Sequence, residues 1–105
     1  MNRNSVNWQG PMPAVTTPFK DDGAIDEKAF AANVERMIGE GATGIVAGGC
    51  TGEFWALSNA ERKRLYEISA EVMKGRGTLI VGTGAVTVDE TVDLTNAAEK
   101  GRRRR

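Results

Sequence analysis

Histidine is absent from this chain of 105 residues, and cysteine occurs only once, at Cys50. A single cysteine excludes a disulfide within the chain. Without histidine, the chain cannot form the Cys–His pair that activates many thiol nucleophiles. The same scarcity of metal-binding side chains predicts no metal site, and nothing in the sequence predicts a cofactor.

Long apolar runs are also missing. No stretch approaches the roughly 20 consecutive apolar residues that cross a bilayer. Residues 1–30 show neither the apolar core nor the cleavage site of a secretion signal. We therefore expect a cytoplasmic protein that has no membrane partner.

Charge of one sign is not in excess, because 14 basic residues balance 14 acidic ones. Four of the basic residues form the terminal run Arg102–Arg105, and the rest of the chain carries a net charge of −4. A mildly acidic body is not typical of a nucleic-acid-binding protein. We therefore expect no nucleic-acid partner.

Three apolar segments predict β-strands, at residues 12–18, 44–48 and 78–82. Their ends, Thr17, Cys50 and Thr83, follow one another at intervals of 33 residues, which indicates a repeated βα unit. Eight such units would come to about 260 residues, the size of a (β/α)8 barrel. The predicted fold is α/β, the N-terminal part (about three βα units) of a TIM barrel. An open Rossmann or flavodoxin-like sheet is the alternative, since both begin with the same alternation.

Each predicted strand is followed by a helix with its own boundary signals. The predicted starts are an N-cap at Asp26, a capping box at Ser58–Glu61 and a second capping box at Thr87–Glu90. The predicted ends are Gly41, then Gly75 or Gly77, and a position near Gly101.

The carboxyl ends of barrel strands share one mouth, so the residues there are candidates for a site. They are Thr16, Thr17, Gly49, Cys50, Thr51, Thr83 and Gly84. The glycine-rich turn Gly48–Gly52 offers backbone N–H groups together with the Thr51 hydroxyl, which suits a small carboxylate. The alternative is that its glycines only turn the chain sharply.

The side chains beside this turn allow several roles. Cys50 can be a nucleophile, a proton-transfer group or an inert buried residue. Glu53 can act as an acid or base, or can bind backbone N–H groups at a helix start. Phe54 and Trp55 can shape a pocket or pack against a neighbouring helix.

Three motifs of this chain together resemble the dihydrodipicolinate synthase and N-acetylneuraminate lyase family. They are Ala14–Phe19 (AVTTPF), Gly49–Glu53 (GCTGE) and Val81–Gly84 (VGTG). The resemblance extends to Gly101, which predicts a family domain at residues 1–101 and a basic tail outside the family pattern at residues 102–105.

The resemblance implies a Schiff-base lyase or aldolase on a (β/α)8 barrel. The implied substrate is a 2-keto acid, usually pyruvate, which forms an imine with a lysine, and the implied assembly is a homo-oligomer, commonly a tetramer. The family pattern assigns the substrate carboxylate to Thr51 and implies that Gly49, Gly52 and Thr17 are further substrate-binding residues. Cys50 occupies the family's relay position, which otherwise carries a hydroxyl.

The chain also departs from the family pattern. The imine-forming lysine of the sixth strand has no counterpart, and Lys63, Lys74 and Lys100 fall on or beside predicted helices. We therefore expect a truncated or frameshifted product that is inactive alone. One alternative is a sugar-acid dehydratase of the same family, of the 5-dehydro-4-deoxyglucarate type. The other is a non-catalytic interaction fragment with a basic tail.

Overall fold

Helices and short parallel strands alternate along residues 3–103, which the computed structural model describes. Single turns of 3-10 helix lie at Arg3–Ser5 and at Phe54–Ala56. The longer elements, in chain order, are α1 (Glu27–Gly39), β1 (Gly44–Ala47), α2 (Asn59–Met73), β2 (Thr78–Val81) and α3 (Val88–Arg103).

The two strands pair in parallel, in a register that runs from Gly44 opposite Thr78 to Ala47 opposite Val81. On the other side of β1, Ala14 forms a parallel bridge with Val46. The three predicted strand segments therefore lie side by side in chain order. This order excludes the flavodoxin-like alternative, in which the first strand lies between the second and the third.

The prediction of a full first strand at residues 12–18 is wrong, because the segment pairs with β1 only around Ala14. The Val46 N–H donates to the Pro13 carbonyl and the Val15 N–H donates to the Val46 carbonyl, both at 2.9 Å. Proline has no N–H to donate, so Pro13 can only accept in this ladder. The segment keeps its place in the sheet but forms no longer ladder.

The boundaries of α1 follow the predicted signals. Asp26 is the N-cap, and its carboxylate accepts the amide three residues further on at 3.0 Å. At the other end, Gly41 has a φ of +107°. Its N–H donates to the Ile38 carbonyl at 3.2 Å, and the next amide, of Ala42, reaches back to Met37 at 3.1 Å. This bond pattern is a Schellman motif, so the predicted glycine stop is confirmed.

The start of α2 is the predicted capping box, and its end lies beside the first of the two predicted glycines. The Ser58 hydroxyl accepts from the Glu61 amide at 3.1 Å, and the Glu61 carboxylate accepts from the Ser58 amide at 2.8 Å. The helix ends at Met73, and the left-handed residue after it is Lys74, with a φ of +50°. Gly75 follows with a φ of +75°, so the first of the two predicted glycine stops is confirmed.

The Thr87 hydroxyl accepts from the Glu90 amide at 3.2 Å, as expected at the start of α3. The expected stop near Gly101 is wrong, because α3 continues to Arg103 and includes Gly101 as a buried helical residue. A glycine stops a helix when it adopts a positive φ, and Gly101 does not do so.

The core lies between the sheet and the two helices that connect its strands. Helix α2 packs against α1 on one side and α3 on the other, and both α1 and α2 contact β1. Fully buried apolar side chains fill this layer: Val15, Phe30, Val34, Ile45, Leu65 and Met73. Every residue of β2 is only half-buried. Among the described residues, no helix has the length and apolar character needed to cross a membrane.

Candidate anion-binding site

The end of the first segment and the loop after β1 are joined by a buried hydrogen bond. The Thr17 hydroxyl donates to the Gly52 carbonyl at 2.7 Å, and Thr17 is 6% exposed. A Cβ atom on Gly52 would lie 3.1 Å from the Val15 carbonyl oxygen and 3.3 Å from the Gly48 nitrogen. The loop is therefore packed closely against the strand ends, and Gly52 leaves little room for a side chain.

The same loop closes on itself. The Glu53 N–H donates to the Cys50 carbonyl at 2.9 Å, and the Phe54 N–H donates to the Gly49 carbonyl at 3.3 Å. Glu53 adopts a left-handed conformation with a φ of +57°, which is strained for a residue with a side chain. These contacts give residues 49–54 a defined shape.

Cys50 and Thr51 lie exposed at the tip of this loop. The interpretation of Cys50 as an inert buried residue is therefore wrong, because the loop bends back through its backbone and leaves the side chain outside. Among the described residues, no hydrogen bond uses the N–H of Cys50 or Thr51. The tip thus presents two backbone donors and a hydroxyl, which together can bind a carboxylate.

The side chains after the tip differ in part from expectation. Glu53 forms no side-chain hydrogen bond that caps the following 3-10 turn, so its expected role at a helix start is wrong. Trp55 is 66% exposed, and its ring meets the edge of the half-buried Phe54 ring at 5.5 Å between centroids.

The loop after β2 lies directly against the loop after β1. The Gly82 N–H donates to the Ala47 carbonyl at 2.9 Å. A Cβ on Gly82 would lie 3.0 Å from the Gly48 carbonyl carbon and still closer to its oxygen. Only glycine allows the two backbones to approach this closely. Thr83, further along, is half-buried and accepts a hydrogen bond from the Thr95 hydroxyl of α3 at 3.0 Å.

The structure therefore brings Thr17, Gly48, Gly52 and Gly82 into contact at the carboxyl ends of the strand segments. Cys50 and Thr51 extend from this cluster, while the Thr83 hydroxyl is engaged with α3. The substrate-binding roles of Thr17, Gly49, Thr51 and Gly52, and the relay role of Cys50, stay predictions. Among the described residues, no group of three or more metal-binding side chains occurs.

Two buried residues of α2 also support the site, and sequence reasoning missed both. The Arg62 guanidinium donates to the carbonyls of Gly82 and Gly84, each at 2.8 Å, and the Tyr66 hydroxyl donates to Gly82 at 2.6 Å. Burial raises the pKa of Tyr66 above its ordinary value of 10.0, against the opposing effect of the Arg62 charge. Tyr66 therefore stays protonated, and remains a donor, at neutral pH. The available signal was helical spacing, because Arg62 and Tyr66 share the face of Leu65.

The sequence of this chain is similar to those of known enzymes. A model of the dihydrodipicolinate synthetase family matches residues 7–102. The 4-hydroxy-tetrahydrodipicolinate synthase of Agrobacterium fabrum is 45% identical over 93 residues, which are 89% of this chain and 32% of that protein.

Solved structures give the same result. The dihydrodipicolinate synthase of Aquifex aeolicus superposes with a TM-score of 0.85 at 33% identity, over 90% of this chain and 32% of that one. The N-acetylneuraminate lyase of Mycoplasma synoviae superposes with a TM-score of 0.82 at 32% identity, over 90% and 33% of the respective chains. These neighbours are TIM-barrel enzymes, so the prediction of an N-terminal barrel portion is confirmed. The chain spans about a third of the length of these proteins.

Proposed function

Because this chain belongs to the dihydrodipicolinate synthetase family, we propose that it supplies the carboxylate-binding part of a lyase that acts on a 2-keto acid. In this proposal the substrate is of the pyruvate type, and its carboxylate binds the loop Gly49–Gly52. Thr51 contributes its hydroxyl, and the backbone N–H groups at the tip complete the donor set.

The observation that carries the proposal is the pair of unused N–H groups, of Cys50 and Thr51, beside an exposed hydroxyl. A carboxylate oxygen accepts such donors readily, and charge-assisted hydrogen bonds are stronger than neutral ones. The Thr17–Gly52 bond supports the proposal further, because it holds the loop in place before a ligand arrives. A loop whose glycines only turned the chain would not need this fixed tip.

In the proposed mechanism the imine-forming lysine comes from outside these 105 residues. Lys63 lies on α2 and forms an ion pair with Asp93 at 2.7 Å, Lys74 lies at the end of α2, and Lys100 lies on α3. Of the other two lysines of the chain, Lys28 lies on α1, and the exposed Lys20 lies at the turn that follows the first segment. None of the five lies at the carboxyl end of β1 or β2. We therefore expect that borohydride reduction in the presence of pyruvate attaches no adduct to this chain alone. A trapped adduct on the chain would contradict this assignment of roles.

A chimera tests the proposed binding role. Residues 1–101 of this chain would replace the matching N-terminal third of the Agrobacterium fabrum synthase, which supplies the rest of the barrel. We expect borohydride to trap pyruvate on the chimera. Thr51→Val removes the hydroxyl and should raise the half-saturating pyruvate concentration about 10- to 100-fold, because a hydrogen bond to a charged group contributes about 1.5–3 kcal/mol. Thr51→Ser, which keeps the hydroxyl, is the matched control.

The thiol at Cys50 disfavours a synthase-type proton relay, which leaves a sugar-acid dehydratase of the same family as the second candidate. A thiol donates hydrogen bonds more weakly than a hydroxyl, so it is a poor substitute in a synthase proton relay. In the chimera, Cys50→Thr should raise synthase turnover if the relay needs a hydroxyl. Unchanged turnover would instead favour a role for this position outside the relay.

A further inference from the structure

One planar group contacts both loops at the candidate site. The Arg62 guanidinium donates to Gly82 and Gly84 in the loop after β2, each at 2.8 Å. On its other side, its central carbon lies 5.0 Å from the centroid of the Phe54 ring, which belongs to the loop after β1. Arg62 is 4% exposed, so these contacts form away from water.

The cost of burying this charge indicates that the contacts matter. Among the described residues, Arg62 forms no ion pair with a carboxylate, and its Nε atom has no hydrogen-bond partner. Two carbonyl oxygens and the face of an aromatic ring therefore compensate the positive charge. An apolar side chain would fill the same space without desolvating a charge. A purely packing role does not explain an arginine at this position.

The connection continues from Arg62 into each loop. The Phe54 amide donates to the Gly49 carbonyl at 3.3 Å, and the Gly82 amide donates to the Ala47 carbonyl at the end of β1. A shift of the Phe54 ring would therefore reach Gly82 through the guanidinium. Lysine could not replace arginine here, because a single ammonium group lacks the planar fork that bonds two carbonyls and stacks on a ring.

We infer that Arg62 is a positioning residue that couples the loop after β1 to the loop after β2. The coupling itself is a property of the fold. Its relevance to substrate binding rests on the proposed function, because the first of these loops carries Thr51. No part of the inference requires Arg62 to touch the substrate.

Amide hydrogen exchange by NMR on the full 105-residue chain, without ligand, tests the coupling. The reporters are the Glu53 amide in the first loop and the Gly82 amide in the second, each of which donates a backbone hydrogen bond. Phe54 lies in the first loop, yet Phe54→Leu should speed exchange at Gly82 in the second loop about tenfold. The reason is that the desolvated cation–π contact between the Phe54 ring and Arg62 is lost. Arg62→Lys should speed exchange at both reporters.

The matched control is Arg76→Lys, in the turn that follows α2. Arg76 also donates to backbone carbonyls, those of Val72 and Met73, but it is exposed, and its other partner is the Glu35 carboxylate of α1 rather than either loop. This control should leave the exchange rates of both reporters as they are in the unsubstituted chain.

Three results would overturn the inference. The first is a Phe54→Leu effect that stays within its own loop. The second is an equal acceleration at every amide including those of α1, which a purely structural role predicts. The third is an undispersed amide spectrum of the unsubstituted chain, because the loops would then not be held together. Phe54→Leu can speed exchange selectively at Gly82 while borohydride traps no pyruvate on the chimera. That combination would leave the inference standing and refute the proposed function.

Discussion

Thr17→Val should destabilise the chain by removing the buried hydrogen bond from the Thr17 hydroxyl to the loop after β1. Valine matches threonine in shape, so the substitution removes the hydroxyl and leaves the packing intact. The Gly52 carbonyl then loses the donor at 2.7 Å in a buried environment. Leaving a buried acceptor unsatisfied costs about 1–3 kcal/mol. A chain of this length has a total stability of about 5–15 kcal/mol, so the loss is a large part of it.

Urea denaturation followed by circular dichroism measures this loss, and Thr17→Ser is the control. Serine keeps the hydroxyl and removes one methyl group, which costs about 0.8 kcal/mol in a buried position. We expect the midpoint for Thr17→Val to fall about 1 M below that of the original chain, given a slope of about 1–3 kcal/mol per molar urea. The serine variant should lie closer to the original chain. A valine variant as stable as the serine variant would refute the reasoning, because the hydrogen bond would then contribute nothing.

Three further predictions concern other parts of the structure, with urea midpoints as the measurement. Gly82→Ala should cost about 1–3 kcal/mol because its Cβ would overlap the Gly48 backbone, whereas Gly84→Ala, with open space around it, should cost much less; equal losses would contradict the close approach of the two loops. Ser58→Ala should cost about 1 kcal/mol through loss of the helix cap, and an unchanged midpoint would argue against the capping box. Tyr66 has a pKa raised above 10.0 in the folded chain, so the unfolded chain loses this proton first and stability declines as the pH rises past about 10. Tyr66→Phe should remove that part of the decline, and an identical alkaline profile for both chains would count against a buried, hydrogen-bonded hydroxyl.

Local signals predicted the features that depend on a few neighbouring residues. The N-caps at Asp26 and Ser58 form because the side-chain acceptor and the backbone donor are three residues apart in the sequence. Gly41 ends α1 because glycine enters the left-handed region without steric cost. The repeat of 33 residues predicted the succession of strand segments, because each βα unit is formed by residues that are close in the sequence.

The features that sequence reasoning missed depend on contacts between distant residues. Arg62 lies 20 and 22 residues from the carbonyls that it bonds, and nothing in the local pattern marks it as buried beneath a loop. Gly101 continues α3 instead of ending it, because glycine permits a stop but does not impose one. The first segment matched a strand in composition, yet it pairs only around Ala14.

The exposure of Cys50 could not be read from composition either. Free cysteines are among the most buried residue types, so the general tendency predicted the wrong environment. The hydrogen bonds from Glu53 and Phe54 back to residues 49 and 50 close the loop and leave the thiol outside. The loop that we propose as a binding site thus departs from the average, as sites often do.

The proposed role of Thr51 is tested most directly by the pyruvate concentration that half-saturates borohydride trapping in the chimera. Thr51→Val should raise this concentration about 10- to 100-fold, while Thr51→Ser should leave it near that of the unsubstituted chimera. A valine variant that is trapped at the same pyruvate concentration as the unsubstituted chimera would contradict the account.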